Sequence, residues 1–222
     1  MRTVILSVGG SIVAPDGVDT SYVRSLLDLL TGISNTRFVL VVGGGRPART
    51  YQEAGRQLQA TAIDLDWIGI RATYLNAELV RAALGKQAYA SIVTDPSKPP
   101  KFSQRFLVCS GWKPGWSTDY DAVLLATKFK TNTVVNLSNI DVVYDKDPRT
   151  SVAAKQFSAL SWKDYLGMIG TKWEPGKNCP FDPIASKLAK QKKIKVIIAN
   201  GRNLQNLKNI LDGKTFVGTT LE

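Results

Sequence analysis

Three turns in this chain place glycine where an anion could approach the main chain: Gly9-Gly10-Ser11, Gly43-Gly44-Gly45, and the loop from Gly111 to Thr118. Each follows an apolar run, so each is expected at the carboxyl end of a strand, the edge where open α/β sheets bind ligands. Successive N–H groups and helix N-termini form anion nests there, and glycine lets phosphate oxygens reach the backbone. Charged residues stand close by in sequence. Arg49 follows the second turn by four positions, Asp119 directly follows the third, and Asp66, Asp182 and Lys187 lie at or near predicted helices. Neither Gly-x-Gly-x-x-Gly nor a Walker pattern is present, so a dinucleotide dehydrogenase or P-loop enzyme lacks its defining residues. Histidine is absent from all 222 residues, which excludes Ser-His-Asp and Cys-His triads and histidine-ligated zinc. Any catalysis must use lysine, arginine, carboxylates, hydroxyls and amides.

The elements that would carry these turns alternate between apolar runs and helical stripes. Val4 to Val8 and Phe38 to Val42 read as buried strands. After the cap signal Asp19-Thr20, the residues Tyr22, Val23, Leu26, Leu27 and Leu30 make a helical stripe ending near Gly32. The chain looks helical from Ala48, and Ile70, Tyr74, Ala77, Val80, Arg81 and Leu84 give a second long helix stopping at Gly85. Ala88 to Val93 and Phe106 to Ser110 are strand candidates, separated by the proline-bearing loop 94–100, a lid or insertion candidate. Asp119 to Phe129 is expected as a helix, Thr133 to Leu137 as a strand, and a loop runs through Asp147-Pro148. Helices from Ser161, Asp182 and Asn203 and a strand Val196 to Ala199 complete the order. Such alternation predicts an α/β three-layer sandwich with a central, mostly parallel sheet. We read residues 1–222 as one domain of two lobes, roughly 1–130 and 131–222.

Composition sets the outer bounds. With 44% hydrophobic and 21% charged residues the chain can build a substantial core, which excludes a disordered tail. No apolar run approaches the roughly 20 residues needed to cross a bilayer, so a soluble, unexported protein is expected. Cys109 and Cys179 supply neither a metal knuckle nor a disulfide scaffold, which fits a reducing cytoplasm. The net charge of +11 suits a polyanionic partner. Charge alone does not choose among nucleic acid, a lipid surface and a phosphorylated small molecule. The densest basic stretch, from Lys187 through Lys190, Lys192 and Lys193 to Lys195, reads as a solvated helix face, and nucleic acid is not the expected partner.

The ordered motifs Val8-Gly-Gly-Ser11, Val41-Val-Gly-Gly-Gly-Arg-Pro-Ala-Arg49, Asp66-Trp-Ile-Gly-Ile70 with Leu75-Asn-Ala77, Lys113-Pro-Gly-Trp-Ser-Thr-Asp119, Asn139 to Pro148, Phe181 to Lys187 and Gly218-Thr-Thr220 resemble the amino acid kinase fold family. Within it, the chain is similar to archaeal-type uridylate kinases, over essentially its whole length. The resemblance implies transfer of the γ-phosphoryl group of ATP to UMP, giving UDP and ADP, with Mg2+ accompanying ATP. Such chemistry asks a protein mainly to position two polyanions and neutralise charge, so the lack of histidine is no obstacle. In family terms Gly9, Gly10 and Ser11 hold the ATP phosphates, Gly44 faces the UMP phosphate, and Gly45 and Arg49 face the ATP side. Asp66 accepts from the UMP ribose, and Trp112, Lys113, Pro114, Gly115, Trp116, Ser117 and Thr118 complete the acceptor site. Ser138, Tyr144 and Asp147 frame the adenosine half of ATP. Asp119 and Asp182 orient cations or water, and Lys187 offsets transition-state charge. By the same resemblance the protein is a cytoplasmic homo-oligomer, a hexamer, in pyrimidine nucleotide biosynthesis, with no protein-built metal site and no membrane partner.

Three departures from the family pattern stand out. The acceptor loop, typically Thr-His-Pro-Gly-His-Thr-Thr-Asp, has Trp112, Lys113 and Trp116 in place of the threonine and both histidines, and Ser117 in place of a threonine. Val142 occupies a position that is usually glycine, where a β-branched residue would resist a positive φ. Ser7 stands where many amino acid kinases carry lysine. The residues therefore leave open a relative with a different small acceptor, and a non-catalytic nucleotide-binding or storage relative.

Overall fold

The computed structural model of this protein describes residues 1–170 and 179–222. Strand β1 (Arg2–Val8) is followed by a single helical turn, α1 (Gly10–Val13), formed within the first glycine turn itself. Helix α2 (Thr20–Gly32) begins as the sequence predicts, with the Asp19 carboxylate accepting from Tyr22 N. Strand β2 (Thr36–Val42) leads to α3 (Gly45–Gln57), three residues earlier than the Ala48 start expected from periodicity. Helix α4 (Ala62–Leu84) is the long helix and ends at Gly85, whose φ of 54° stops it. After strand β3 (Phe106–Cys109) come α5 (Thr118–Lys128) and β4 (Thr133–Ser138).

The second half contains short strands that periodicity does not reveal: β5 (Val143–Tyr144), β6 (Gln156–Phe157) and β7 (Ala159–Leu160). Helices α6 (Trp162–Ile169) and α7 (Pro183–Lys192) start at the predicted caps Ser161 and Asp182. Strand β8 (Lys195–Asn200), helix α8 (Leu204–Leu211) capped by Asn203, and strand β9 (Thr219–Leu221) complete the order.

Seven strands form one sheet in the order β3-β2-β1-β4-β8-β9-β7. All of its pairings are parallel except β8 with β9. Alternation along β1 divides the core: Leu6 and Val8 pack with α2, α4 and α8 on one face, and Ile5 packs with α5, α6 and α7 on the other. The expected three layers are present, and they leave the carboxyl ends of β1, β2 and β4 side by side at one edge.

Two expectations are corrected. Ala88 to Val93 is no strand: it touches β3 only through isolated bridges at Ala88 and Val93, because the residues between leave the ladder. The helix after the third glycine loop is opened by Ser117, whose hydroxyl accepts from Tyr120 N, so Asp119 is freed from capping and points into the fold. Val142 is buried and is absent from the left-handed residues, so this backbone places no demand there that a β-branched side chain cannot meet.

Candidate active site

The first two glycine turns are in main-chain contact. A Cβ built on Gly10 would lie 2.0 Å from Gly45 N and 2.7 Å from Gly44 N, so only glycine permits this approach. Gly45 enters α3 with a φ of 66°, a conformation that excludes most side chains. Gly43 N donates to Val8 O at 2.9 Å, and Gly9 N donates to Leu137 O at 2.9 Å, which ties both turns to the ends of β1 and β4. From behind, the buried Asn76 side chain donates to Gly43 O at 2.8 Å and Gly44 O at 3.0 Å. These bonds consume the carbonyls of the second turn. Arg49, one turn into α3, is exposed and makes no ion pair among the described residues.

The third loop meets this edge from the other side of a cavity of about 280 Å3. Gly44, Gly45, Arg49, Asp66, Lys113, Trp116, Ser117 and Thr118 line it, together with Gln52 and Thr73, which sequence reasoning did not single out. Asp66 lies inside α4, whose cap is Thr61, and its Oδ2 accepts from Gly115 N at 2.9 Å across the cavity. Thr73 Oγ1 accepts from Gly111 N at 2.8 Å at the base of the loop. Lys113 Nζ sits 4.0 Å from the Trp112 ring centre and 5.6 Å from that of Trp116, and Trp116 rests on Tyr120 at 4.0 Å between centroids. The departures from the family loop thus form one aromatic and cationic stack rather than scattered changes. Pro114 and Gly115 make the loop tip, and Trp112 lies at its root; none of these three lines the cavity. A wider hollow of about 980 Å3 beside Met1, Arg2 and Thr36 lies at the amino ends of β1 and β2, away from the glycine turns.

Beneath the loop, Asp119 gathers the ends of three elements. Its Oδ1 accepts from Ser7 Oγ at 3.2 Å and Asn136 Nδ2 at 2.7 Å, and its Oδ2 accepts from Asp182 N at 3.2 Å. Residue Asp119 keeps some accessible surface although its carboxylate is deep in the fold. Desolvation first and the neighbouring Asp182 second raise its pKa. A serine at position 7 supplies a hydroxyl and no cation; its hydrogen bond, with those from Asn136 and Asp182 N, opposes that rise only in part. Asp182 is itself 6% exposed and caps α7, accepting from Ile184 N at 2.6 Å and Ala185 N at 2.7 Å; burial raises its pKa against those two bonds. Asp121 is fully buried on α5, the helix that carries Asp119, and burial pushes its carboxyl up to about 8.

The residues expected at the adenosine are placed along β4 and the hairpin that follows. Ser138 ends β4, accepting from Gly201 N at 2.8 Å, and so stands next to the Leu137 carbonyl that holds Gly9. Tyr144 is half-buried in β5 opposite Gln156. The Arg149 guanidinium beside Asp147 holds that carboxyl at about 2. Ser11 is half-buried in α1, and Lys187 is exposed on α7 with no ion pair among the described residues. Ser138, Tyr144, Asp147, Asp119, Asp182 and Lys187 do not line the cavity. Among the described residues no group of three or more metal-ligating side chains is assembled, and both Asp119 oxygens and Asp182 Oδ1 already accept hydrogen bonds. That donor set does not fit a cation caged by the protein. No helix among them is long and apolar enough to cross a membrane.

Residues 2–200 match the model of the amino acid kinase family. The chain is 37% identical to the uridylate kinase of Thermoplasma volcanium over all of this chain and 98% of that one, and 35% identical to the uridylate kinase of Methanospirillum hungatei over 99% and 94%. The crystal structure of uridylate kinase from Archaeoglobus fulgidus is similar with a TM-score of 0.85, 30% identity and full coverage of both chains.

Proposed function

This chain belongs to the amino acid kinase family, and from that premise we propose that it transfers the γ-phosphoryl group of ATP to the phosphate of UMP, yielding UDP and ADP. The observation that carries the reading is the main-chain contact between the first two glycine turns at one sheet edge, beside a cavity bounded by Asp66 and the Trp116 loop. Two phosphates held by adjacent turns are held near each other, which is what an in-line transfer requires.

In this reading the amides of Gly9, Gly10 and Ser11 bind the ATP phosphates, and Ser138, Tyr144 and Asp147 position adenosine. Gly44 receives the UMP phosphate, with Gly45 and Arg49 at its border toward ATP. Asp66 has one oxygen on Gly115 N and the other free to accept from a ribose hydroxyl. An oxygen of the UMP phosphate forms the new P–O bond while the bond from the γ-phosphorus to the β,γ-bridging oxygen breaks, and ADP leaves. Arg49 and Lys187 offset charge on the transferring group, and Asp119 and Asp182 hold the ends of β1, β4 and α7 in register around it. Mg2+ bound to ATP would supply part of the neutralisation of its phosphates, and no side chain of this chain is assigned to hold it. The reading divides the chain into an acceptor lobe of residues 1–130 and a donor lobe of residues 131–222. It also includes, from the family resemblance, a cytoplasmic setting and a hexamer; Leu58, Ile63 and Leu75 are exposed apolar side chains near and on α4 that an assembly could cover.

The indole and ammonium stack of Trp112, Lys113 and Trp116 favours one second reading, in which the acceptor is a different small phosphorylated compound. A coupled ADP-release assay across UMP, CMP, AMP, GMP and non-nucleotide phosphates separates the two. Preference for UMP supports the proposal, and turnover of another acceptor with none of UMP replaces it.

A further inference from the structure

Asp121 is a carboxylic acid without an obvious reason to be where it is. It is 0% exposed on the buried side of α5, four residues before the equally buried Leu125, where an apolar residue would pack at no electrostatic cost. One oxygen, Oδ1, has no partner, which leaves a buried acceptor unsatisfied. The other, Oδ2, accepts from Trp112 N at 3.2 Å. Trp112 lies three residues beyond the end of β3, at the start of the acceptor loop.

That loop is therefore held at three amides: Thr73 Oγ1 takes Gly111 at its base, Asp121 takes Trp112 next to it, and Asp66 takes the tip at Gly115 at 2.9 Å. Lys113 lies between the Trp112 and Gly115 anchors and Trp116 directly follows the second; both line the cavity, and Lys113 is stacked on Trp112. Shifting the Trp112 amide would shift the ring on which Lys113 rests, and with it the lysine's reach into the cavity. Asp66 bonds the loop three residues further on and Thr73 one residue earlier, so Asp121 is the group that takes the Trp112 amide itself.

We propose that Asp121 is a positioning residue for the phosphoryl acceptor: by accepting from the Trp112 amide it sets the height at which Lys113 and Trp116 close over the cavity, and hence the acceptor's KM. Asp121 touches no substrate and acts only through the loop. The part that concerns UMP rests on the function proposed above; the anchoring itself does not.

The test pairs two variants with two readouts. Asp121→Val is close in shape and removes the acceptor oxygens, whereas Asp121→Asn keeps an oxygen able to accept from Trp112 N. For Asp121→Val the UMP KM rises about tenfold, the factor expected from one lost hydrogen bond to a fixed amide, while the ATP KM stays within about twofold. Asp121→Asn restores the UMP KM to within about threefold of the unsubstituted protein. Equal rises in both KM values, a UMP KM unmoved by valine, or no rescue by asparagine would overturn the proposal. Hydrogen exchange at the Trp112 amide reads the anchor without any acceptor: protection in the unsubstituted protein and in Asp121→Asn supports it, and rapid exchange in the unsubstituted protein refutes it even if neither variant folds. If UMP is not turned over while that protection is present and lost in Asp121→Val, the anchor stands and the uridylate reading fails.

Discussion

Replacing Arg49 by alanine isolates charge neutralisation from folding. The side chain is exposed, makes no ion pair among the described residues, and sits one turn into α3 with its neighbour Ala48 facing inward. Alanine is at least as good a helix former as arginine, so the melting temperature should move by no more than about 1 °C. The functional cost is different. A charge-assisted hydrogen bond to a phosphate in a partly dehydrated site contributes roughly 1.5–3 kcal/mol, which is about ten- to 150-fold in rate when it is made in the transition state. Because Arg49 lines the cavity at the border between the two phosphate turns, the loss should fall mainly on kcat, with both KM values changing less. Arg49→Lys should recover only part of the rate, since a point charge cannot make the bidentate contact. Steady-state ADP release with UMP and ATP varied in turn gives all three parameters. A kcat/KM within threefold of the unsubstituted protein, with an unchanged melting curve, would show that Arg49 is a surface arginine and that the border assignment is wrong.

Asp66→Asn keeps an acceptor for Gly115 N and removes the charge, so the UMP KM should rise about five- to tenfold while the ATP KM stays within about twofold; equal changes in both would place Asp66 outside the acceptor site. Gly10→Ala puts a Cβ 2.0 Å from a backbone nitrogen that cannot swing aside, and urea unfolding should report a loss of about 3 kcal/mol or more. Stability should also carry the signature of Asp121, whose folded pKa is raised to about 8 by burial. Between the unfolded value near 4 and about 8 the folded state holds a proton that the unfolded state has lost, so this group's contribution falls as pH rises through that window and is flat above it. The melting-temperature advantage of Asp121→Val over the unsubstituted protein should accordingly grow from pH 5 to pH 8; a pH-independent difference would contradict the raised pKa.

The parts of the fold that were legible in the sequence are those where one physical signal dominates. β1 and β2 are apolar runs, β1 interrupted at Ser7, because they are covered on both faces, and Asp19, Ser161, Asp182 and Asn203 each cap the helix they announce. Ala88 to Val93 carries the composition of a strand, yet only its two ends reach β3. The two- and three-residue strands β5, β6, β7 and β9 are too short to show a period. Asp66 reads as a ligand by the family resemblance with a helix cap as the alternative, and the Thr61 cap and the Gly115 contact separate the two. Asn76, Ser7, Asn136 and Thr73 organise the site from buried positions. The available signal was a polar residue interrupting an apolar stripe or strand, and Asp121 gave the same signal on α5. Which turn such a residue faces depends on sheet order, which spacing along one chain does not contain.

The most direct measurement of the central claim is 31P NMR of the purified protein with Mg-ATP and UMP. Equimolar appearance of the ADP and UDP β-phosphorus signals as ATP and UMP decline is the predicted result. ATP unchanged in the presence of UMP, or ADP and inorganic phosphate formed without UDP, would contradict transfer to the UMP phosphate.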